Sequence, residues 1–490
     1  MTPTPRARSG GGRRAGKARG YRGDRTLPAA LVLLGLAVAA VLSAGSASPP
    51  DGETPREPEA TGVLVDRTLL ACPDSTDAPQ LAGDVRTTVT AGLAEVQGSL
   101  DAGTTIGSEG GLTVGRRGRD GRNQPLARGG LVDLGSRRAA VLDGEGSSAV
   151  GLFGYRTDRT SRASAVARCV EPRGTWWFNG AGGSLDHSSD LVLTNLDPGA
   201  AVVDVRVYGP GGPVDTVRTR GIPIAAGQSR TLALADVAPQ TEELLIEVVA
   251  DRGRVAAAVI DGYAPRAEAA IGIEWLPATD RPSRNLHLVG LPARSASRTL
   301  LVANPGDSQA LVELQLAGAR GSFTPSDLDE ISLAPGSVES VDLSAVVPAG
   351  EPVAVRVRST APVVATVRSV GRRDTSYAGA AAPLTDTAAV LALPRARTTV
   401  HLTAGSLPAR ALLVGRNRTG RVTGEDTVVV DATATATWRP APGTAYVMVR
   451  PIEGTLHGAA TYARNGALSQ TPLVGLPVTV SMPQVLPGPL

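Results

Sequence analysis

Residues 203–212 read VDVRVYGPGG, and a shift of 109 (312 − 203) carries them onto residues 312–321, VELQLAGARG. Apolar side chains hold every second position in both: Val203, Val205 and Val207 in one, Val312, Leu314 and Leu316 in the other. Charged or amide side chains fill the gaps (Asp204, Arg206; Glu313, Gln315), and a glycine ends each run at Gly209 and Gly318. A period of two turns one face to a core and the other to water, as the strands of an antiparallel sheet do. The same alternation returns in residues 353–358, VAVRVR.

Working outward, the shift of 109 overlays residues 191–262 on the chain beyond them without a gap. Asn195 meets Asn304, Ile222 meets Ile331, Gly227 meets Gly336, Leu234 meets Leu343, Val237 meets Val346 and Pro239 meets Pro348. A register kept over such a length marks an internal repeat. Turn residues fall every eight to twelve positions, at Asp197-Pro198-Gly199, Ala225-Ala226-Gly227 and Asp251-Arg252-Gly253. About seven short strands per unit is the arithmetic of an immunoglobulin-like β-sandwich. The fold class expected is therefore all-β: tandem immunoglobulin-like repeats of ~109 residues behind one N-terminal transmembrane helix. A propeller assembled from the repeats is the alternative. The units run 174–283 and 284–395, with a divergent unit at 63–173 and a shortened one at 396–490. Within the body, residues 87–100 read as its one helical stretch.

This order resembles an uncharacterised family of actinobacterial secreted or membrane-anchored proteins. The residues that carry the resemblance are Cys72-Pro73, Cys169, the run Thr175-Trp176-Trp177-Phe178-Asn179-Gly180, and the turn Asn304-Pro305-Gly306. Asn195-Leu196-Asp197 lacks the proline at the second turn position. The resemblance implies an envelope location and supplies neither an activity nor catalytic residues.

The ends of the chain speak to compartment. Residues 1–26 form a basic tail with eight Lys or Arg against Asp24, a net of +7, so the remainder carries 3 − 7 = −4. A mildly acidic body lacks the basic stripe that nucleic acid requires, and no nucleic-acid partner is expected. From Leu27 to Ala47 the chain reads LPAALVLLGLAVAAVLSAGSA, free of charge. At ~1.5 Å per helical residue this run is long enough to cross a hydrocarbon core of ~30 Å. Positive charge stays in the cytoplasm, which makes the chain single-pass with its body outside and the cytoplasmic membrane its first partner. Secretion after cleavage near Ala47 is the alternative. Residues 48–62, SPPDGETPREPEATG, form a Pro/Glu-rich linker. Cys72 and Cys169 are the chain's two cysteines. Their spacing suits no redox or zinc motif, and in an oxidising compartment a bridge is expected in preference to two buried thiols.

The search for chemistry returns little. The four histidines His187, His287, His401 and His457 form no metal-ligand pair, and the glycine runs at 180–183 and 209–212 are followed by no lysine, so neither metal nor other cofactor is expected. Asp186-His187-Ser188 holds the residue types of a hydrolase, but neighbours on a short loop diverge, and a polar turn is the reading preferred. No catalytic residue is assigned and no enzyme is expected. Two features suit recognition. Trp176, Trp177 and Phe178 are the densest aromatic cluster; core packing is the reading preferred, and one ring left free for a carbohydrate or protein contact is the alternative. Arg116, Arg117, Arg119 and Arg122 form a basic loop for which a solvated, mobile loop is the reading preferred and contact with anionic polymers the alternative. The function expected is a membrane-anchored structural or interaction protein of the cell envelope, with envelope proteins or cell-wall polymers as partners. A glycan-binding module of the cell wall is the alternative.

Overall fold

The computed structural model describes residues 61–482 except 97–108, 115–121, 216, 265–271, 327, 329, 385–388 and 477. The basic tail and the apolar run 27–47 lie outside the described residues. Among the described residues no helix is long and apolar enough to cross a membrane. They are all-β, strands being joined by turns and by 3-10 helices of three residues.

The strands form four successive pairs of sheets. In the first pair, Arg67–Cys72, Ala140–Glu145, Glu109–Val114 and Arg122–Ala127 face Leu131–Leu134, Arg86–Leu93, Leu152–Arg159 and Ser164–Arg168. Leu70, Val89, Ala91, Leu142 and Leu152 fill the space between them. Cys72 and Cys169 are bonded across this core and tie the pair's opening strand to the residue after its closing one. Their separation of 97 residues is worth about 4–5 kcal/mol in chain entropy. Of the stretch expected to be helical, residues 87–96 are described and are not helical, and the rest lies outside the described residues. Arg86–Leu93 is a strand paired with Leu152–Arg159 on one side and Leu131–Leu134 on the other. Thr87, Thr88, Val89 and Thr90 are β-branched, and cross-strand packing outweighs the weak helical pattern.

The second and third pairs repeat one another strand for strand. Ala201–Gly209, Gly212–Val214, Ile222–Ile224 and Ser229–Ala233 become Ala310–Gly318, Gly321–Phe323, Ile331–Leu333 and Val338–Asp342, each displaced by 109 (310 − 201). The turn that starts this stretch repeats to the atom. Asn195 Nδ2 donates to the carbonyls of Gly199 and Ile224, and Asn304 Nδ2 to those of Ser308 and Leu333. Each Asn Oδ1 accepts the N–H two residues on, at Asp197 and Gly306. Valine and leucine lead in both cores, with Trp176, Phe178 and Tyr377 as the aromatic members of the second pair's core. The fourth pair sets Leu456–Arg464, Arg397–Ala404, Thr435–Trp438 and Ala467–Pro472 against Ala389–Ala392, Tyr446–Glu453, Ala409–Arg416 and Val422–Val430.

The four pairs close on themselves. Trp177 and Leu245 of the second pack on Ala303, Val338 and Val364 of the third. Val289 and Ala354 of the third pack on Ala459 of the fourth. The core of the fourth is continuous with Phe153, Tyr155 and Val166 of the first. Trp275 and Ile260 of the second meet Leu81 and Ala165 of the first. The Val65 N–H donates to the Val478 carbonyl, so the two ends of this body meet. At the centre, four strands come together: Ser164–Arg168, Gly272–Trp275, Thr375–Gly379 and Ala467–Pro472. Each pairs with a single strand of its own sheet and turns its free side toward the others. Four such edges would expose unpaired N–H and C=O groups; meeting one another covers them.

Candidate functional site: the buried axis and the recess at its end

Where the four inner strands meet, the interior is polar. Asp374 is buried, and its carboxylate accepts a backbone N–H from every pair: Ser164 and Leu468 on Oδ2 (2.9 Å each), Ile273 and Thr375 on Oδ1 (3.0 Å each). Burial pushes this carboxyl up to about 7, against the four donors that favour its charged form. Gly272 lets the backbones approach this closely, since a Cβ there would lie 2.5 Å from the Thr375 nitrogen.

Glu274 does the same one step along. Its Oε1 accepts the Ser469 hydroxyl (2.8 Å) and the Val166 N–H (3.1 Å), and its Oε2 the Gln470 N–H (2.8 Å). Burial raises its pKa well above the ordinary range. Beside it, Arg156 and Asp158 form a buried ion pair (2.7 Å), and Asp158 also accepts from Thr87 Oγ1 and Trp275 Nε1. A third cluster joins the second and third pairs. Asp261 accepts the hydroxyls of Ser189 (2.5 Å) and Tyr377 (2.6 Å), and His187 Nε2 stands 3.1 Å from Asp261 Oδ1. Burial alone would lower the His187 pKa, but the Asp261 carboxylate outweighs it and the net shift is upward. Arg368 forks onto Glu243 at 2.8 and 3.2 Å and lies over the Tyr263 ring.

The chemistry of this interior is cohesive. Removing one partner from a buried ion pair costs about 3–5 kcal/mol, so each cluster locks two or more pairs in one arrangement. The serine, histidine and acid types meet here in a form that does not serve hydrolysis. Ser189 donates to the acid and not to the imidazole, and the cluster is sealed from solvent. Asp186 stays on an exposed turn beside Leu185, which is 98% exposed, while His187 starts the buried strand His187–Thr194. The preferred reading of a polar turn thus describes residues 184–186 and stops short of the histidine.

The other residues singled out in the sequence have definite places. Trp176, Trp177 and Phe178 are all buried, in line with the preferred reading of core packing, and the alternative of one free ring is not met. Alternation does turn Trp177 away from its own core, but the third pair covers it. Trp176 instead stacks on Phe178 and donates to the Val255 carbonyl. Gly180, with φ +97°, permits this approach, because a Cβ there would meet Leu301 Cδ1 at 2.9 Å. Arg116, Arg117 and Arg119 lie outside the described residues, as does the side chain of Arg122. His287 and His457 stack at 3.9 Å between the third and fourth pairs. Burial lowers both, His287 to about 3.

One opening lies at the end of the axis, between the first and fourth pairs. It is a recess of about 340 Å³ whose lining includes Arg86, Arg159, Arg464, Asp84 and Ser164. No reading of the sequence drew attention to it, because its arginines stand 73 (159 − 86) and 305 (464 − 159) residues apart.

A family model described as a family of unknown function (DUF5719) matches residues 136–441. The chain belongs to that family. The match spans the end of the first sheet pair, all of the second and third, and much of the fourth. Among curated proteins none matches the chain. Among solved structures, the alpha-L-rhamnosidase of Streptomyces avermitilis in complex with L-rhamnose aligns at 11% identity over 81% of this chain and 54% of its own, with a TM-score of 0.12. The chain thus covers about half of that enzyme, and a superposition so poor carries no argument about fold or activity.

Proposed function

We propose that this member of the family is a structural and interaction protein of the cell envelope, four immunoglobulin-like units locked into one body and held outside the cytoplasmic membrane by residues 27–47. The observation that carries the reading is Asp374, one carboxylate that accepts an amide from each of the four sheet pairs. Polar side chains spent on holding units together favour a rigid body whose outer surface does the work. The Cys72–Cys169 bond supports an oxidising compartment, and the basic tail ahead of an apolar run supports an anchored body outside. The partners proposed are envelope proteins or cell-wall polymers.

Crosslinking in intact cells with the full-length chain, followed by mass spectrometry, tests the reading. Envelope proteins or wall polymers bound to a bait that keeps its N-terminal peptide, and that protease added outside can digest, are the expected result. A bait shielded from external protease, or one recovered free of envelope neighbours, would overturn it.

A further inference from the structure

We propose that the recess between the first and fourth sheet pairs binds a phosphate dianion, free or as a phosphomonoester, through Arg86, Arg159 and Arg464. This goes beyond the scaffold reading and stands independently of it.

The case begins with unspent charge. Some exposed arginines elsewhere in the body have carboxylates: Arg67 with Asp143, Arg173 with Asp280, Arg254 with Asp197 and Arg418 with Asp133. None of Arg86, Arg159 and Arg464 is in an ion pair among the described residues, although they converge on one recess. Its one acidic lining residue is Asp84, which leaves the lining at 3 − 1 = +2. Arg395 adds a further positive charge in reach of Arg159. Burial first, and then Arg464, Arg395 and Arg86, lower the Arg159 pKa, with the Asp133 carboxylate pulling the other way. An excess of like charge over the carboxylates near it weakens a fold, and function is the usual reason such an arrangement persists.

The shape points to the ligand class. Guanidinium groups bind planar or tetrahedral oxyanions through forked, charge-assisted hydrogen bonds. A carboxylate brings one negative charge, whereas a phosphate monoester brings close to two and three acceptor oxygens. The dianion matches the +2 of the lining, and its oxygens match three arginines. Ser161 and Asn465 complete the lining with neutral polar groups suited to what the phosphate is attached to. Asn465 is held at φ +52° in the tight turn between Leu456–Arg464 and Ala467–Pro472, and that turn seats Arg464 at the rim. About 340 Å³ is at the small end of ligand sites, room for a phosphate with a modest substituent.

The test is isothermal titration calorimetry on the full-length chain in detergent at low salt, with inorganic phosphate and with glucose 1-phosphate as probes. Saturable binding of at least one probe is expected, strengthening as pH rises through about 6 where the dianion forms. Preference for one probe tells free phosphate from a phosphomonoester. Arg464→Gln and Arg86→Gln, both at exposed positions, should each weaken binding about tenfold, the loss of one charge-assisted bond. Arg162→Gln, exposed and outside the lining, should leave it unchanged. Without phosphate, Arg464→Gln should melt higher than the wild type, and at one phosphate concentration the midpoint should rise more for the wild type than for the variant. Absence of binding by both probes, or binding that survives the Arg86→Gln/Arg464→Gln double variant, would overturn the proposal.

Discussion

The second and third sheet pairs are built on one pattern and put to different uses. Inside each pair the two agree. Val203, Val205 and Val207 are buried as Val312, Leu314 and Leu316 are, and Asn195 and Asn304 hold the same turn by the same bonds. At their outer contacts they part. Phe178 of the second corresponds to His287 of the third (178 + 109), and the His187–Asp261 cluster corresponds to Ala296 and Val370. The turn through Gly253, at φ +74°, corresponds to Pro362, where the third pair has one 18-residue strand, Val353–Val370, that serves both sheets. A proline fits there because the chain bends from one sheet into the other and needs no ladder N–H. The lesson is that the repeat encodes a unit, and the departures from it encode which neighbour each unit meets.

Four predictions bear on that comparison. The largest effect is expected at the shared axis. Asp374→Ala removes the acceptor of four buried amides and should cost about 4 kcal/mol or more, read by urea unfolding under circular dichroism. If the axis is what makes the four pairs one body, the single transition of the wild type should divide into steps. One transition with an unmoved midpoint would mean that the pairs cohere through their apolar contacts alone.

His287→Phe writes the second pair's residue into the third and probes pH. The folded pKa of His287 is pressed down to about 3, so the unfolded chain takes up a proton that the folded one refuses. Its contribution to stability is complete above about 6.5 and is lost as pH falls below that, by about 2 kcal/mol between pH 7 and 5. The phenylalanine variant should lack this loss and gain on the wild type steadily through that window. Parallel stability curves for the two proteins would remove the histidine pair from the account.

A smaller effect tests the likeness itself. Asn195→Ala and Asn304→Ala each strip a buried turn of its side-chain bonds and should each cost about 2 kcal/mol. The two losses should agree within about 0.5 kcal/mol if the repeat is energetic as well as geometric. The smallest effect sharpens the difference at the strand break. Gly253→Ala forces a side chain into the left-handed region and brings its Cβ to 3.2 Å from that of Ala201, a cost of about 1 kcal/mol in the melting curve.

How much of this was legible follows from the reach of each signal. Alternation is a local property, and it marked Val203, Val205 and Val207 as core because a strand's own pleat decides which face they take. Two cysteines, one in the opening strand of a unit and one just after its closing strand, foretold their own bond. Trp177 shows where local reading ends, for alternation left open which ring faces outward, and the third pair, lying over Trp177, covers the one that does. The stretch Arg86–Leu93 failed for a related reason, its helical spacing being overridden by two partner strands. A charged residue in an apolar strand, such as Glu274 between Ile273 and Trp275, was the available hint of the axis. Nothing near it in the chain names Ser469 as its donor.

The sequence by itself determined an all-β body, the pattern of each unit, the repeat of 109, the turn at Asn195 and Asn304, and the disulfide. These depend on neighbours a few residues away or on a chain compared with itself. Tertiary structure alone decided that four sheet pairs close in a ring, that their inner edges share the carboxylates of Asp374 and Glu274, and that three arginines converge on one recess. Those contacts join residues up to hundreds of positions apart, where no periodicity reports who will meet whom. A buried carboxylate is tolerable only once all its donors have arrived together, which is a property of the assembled body and of no segment within it.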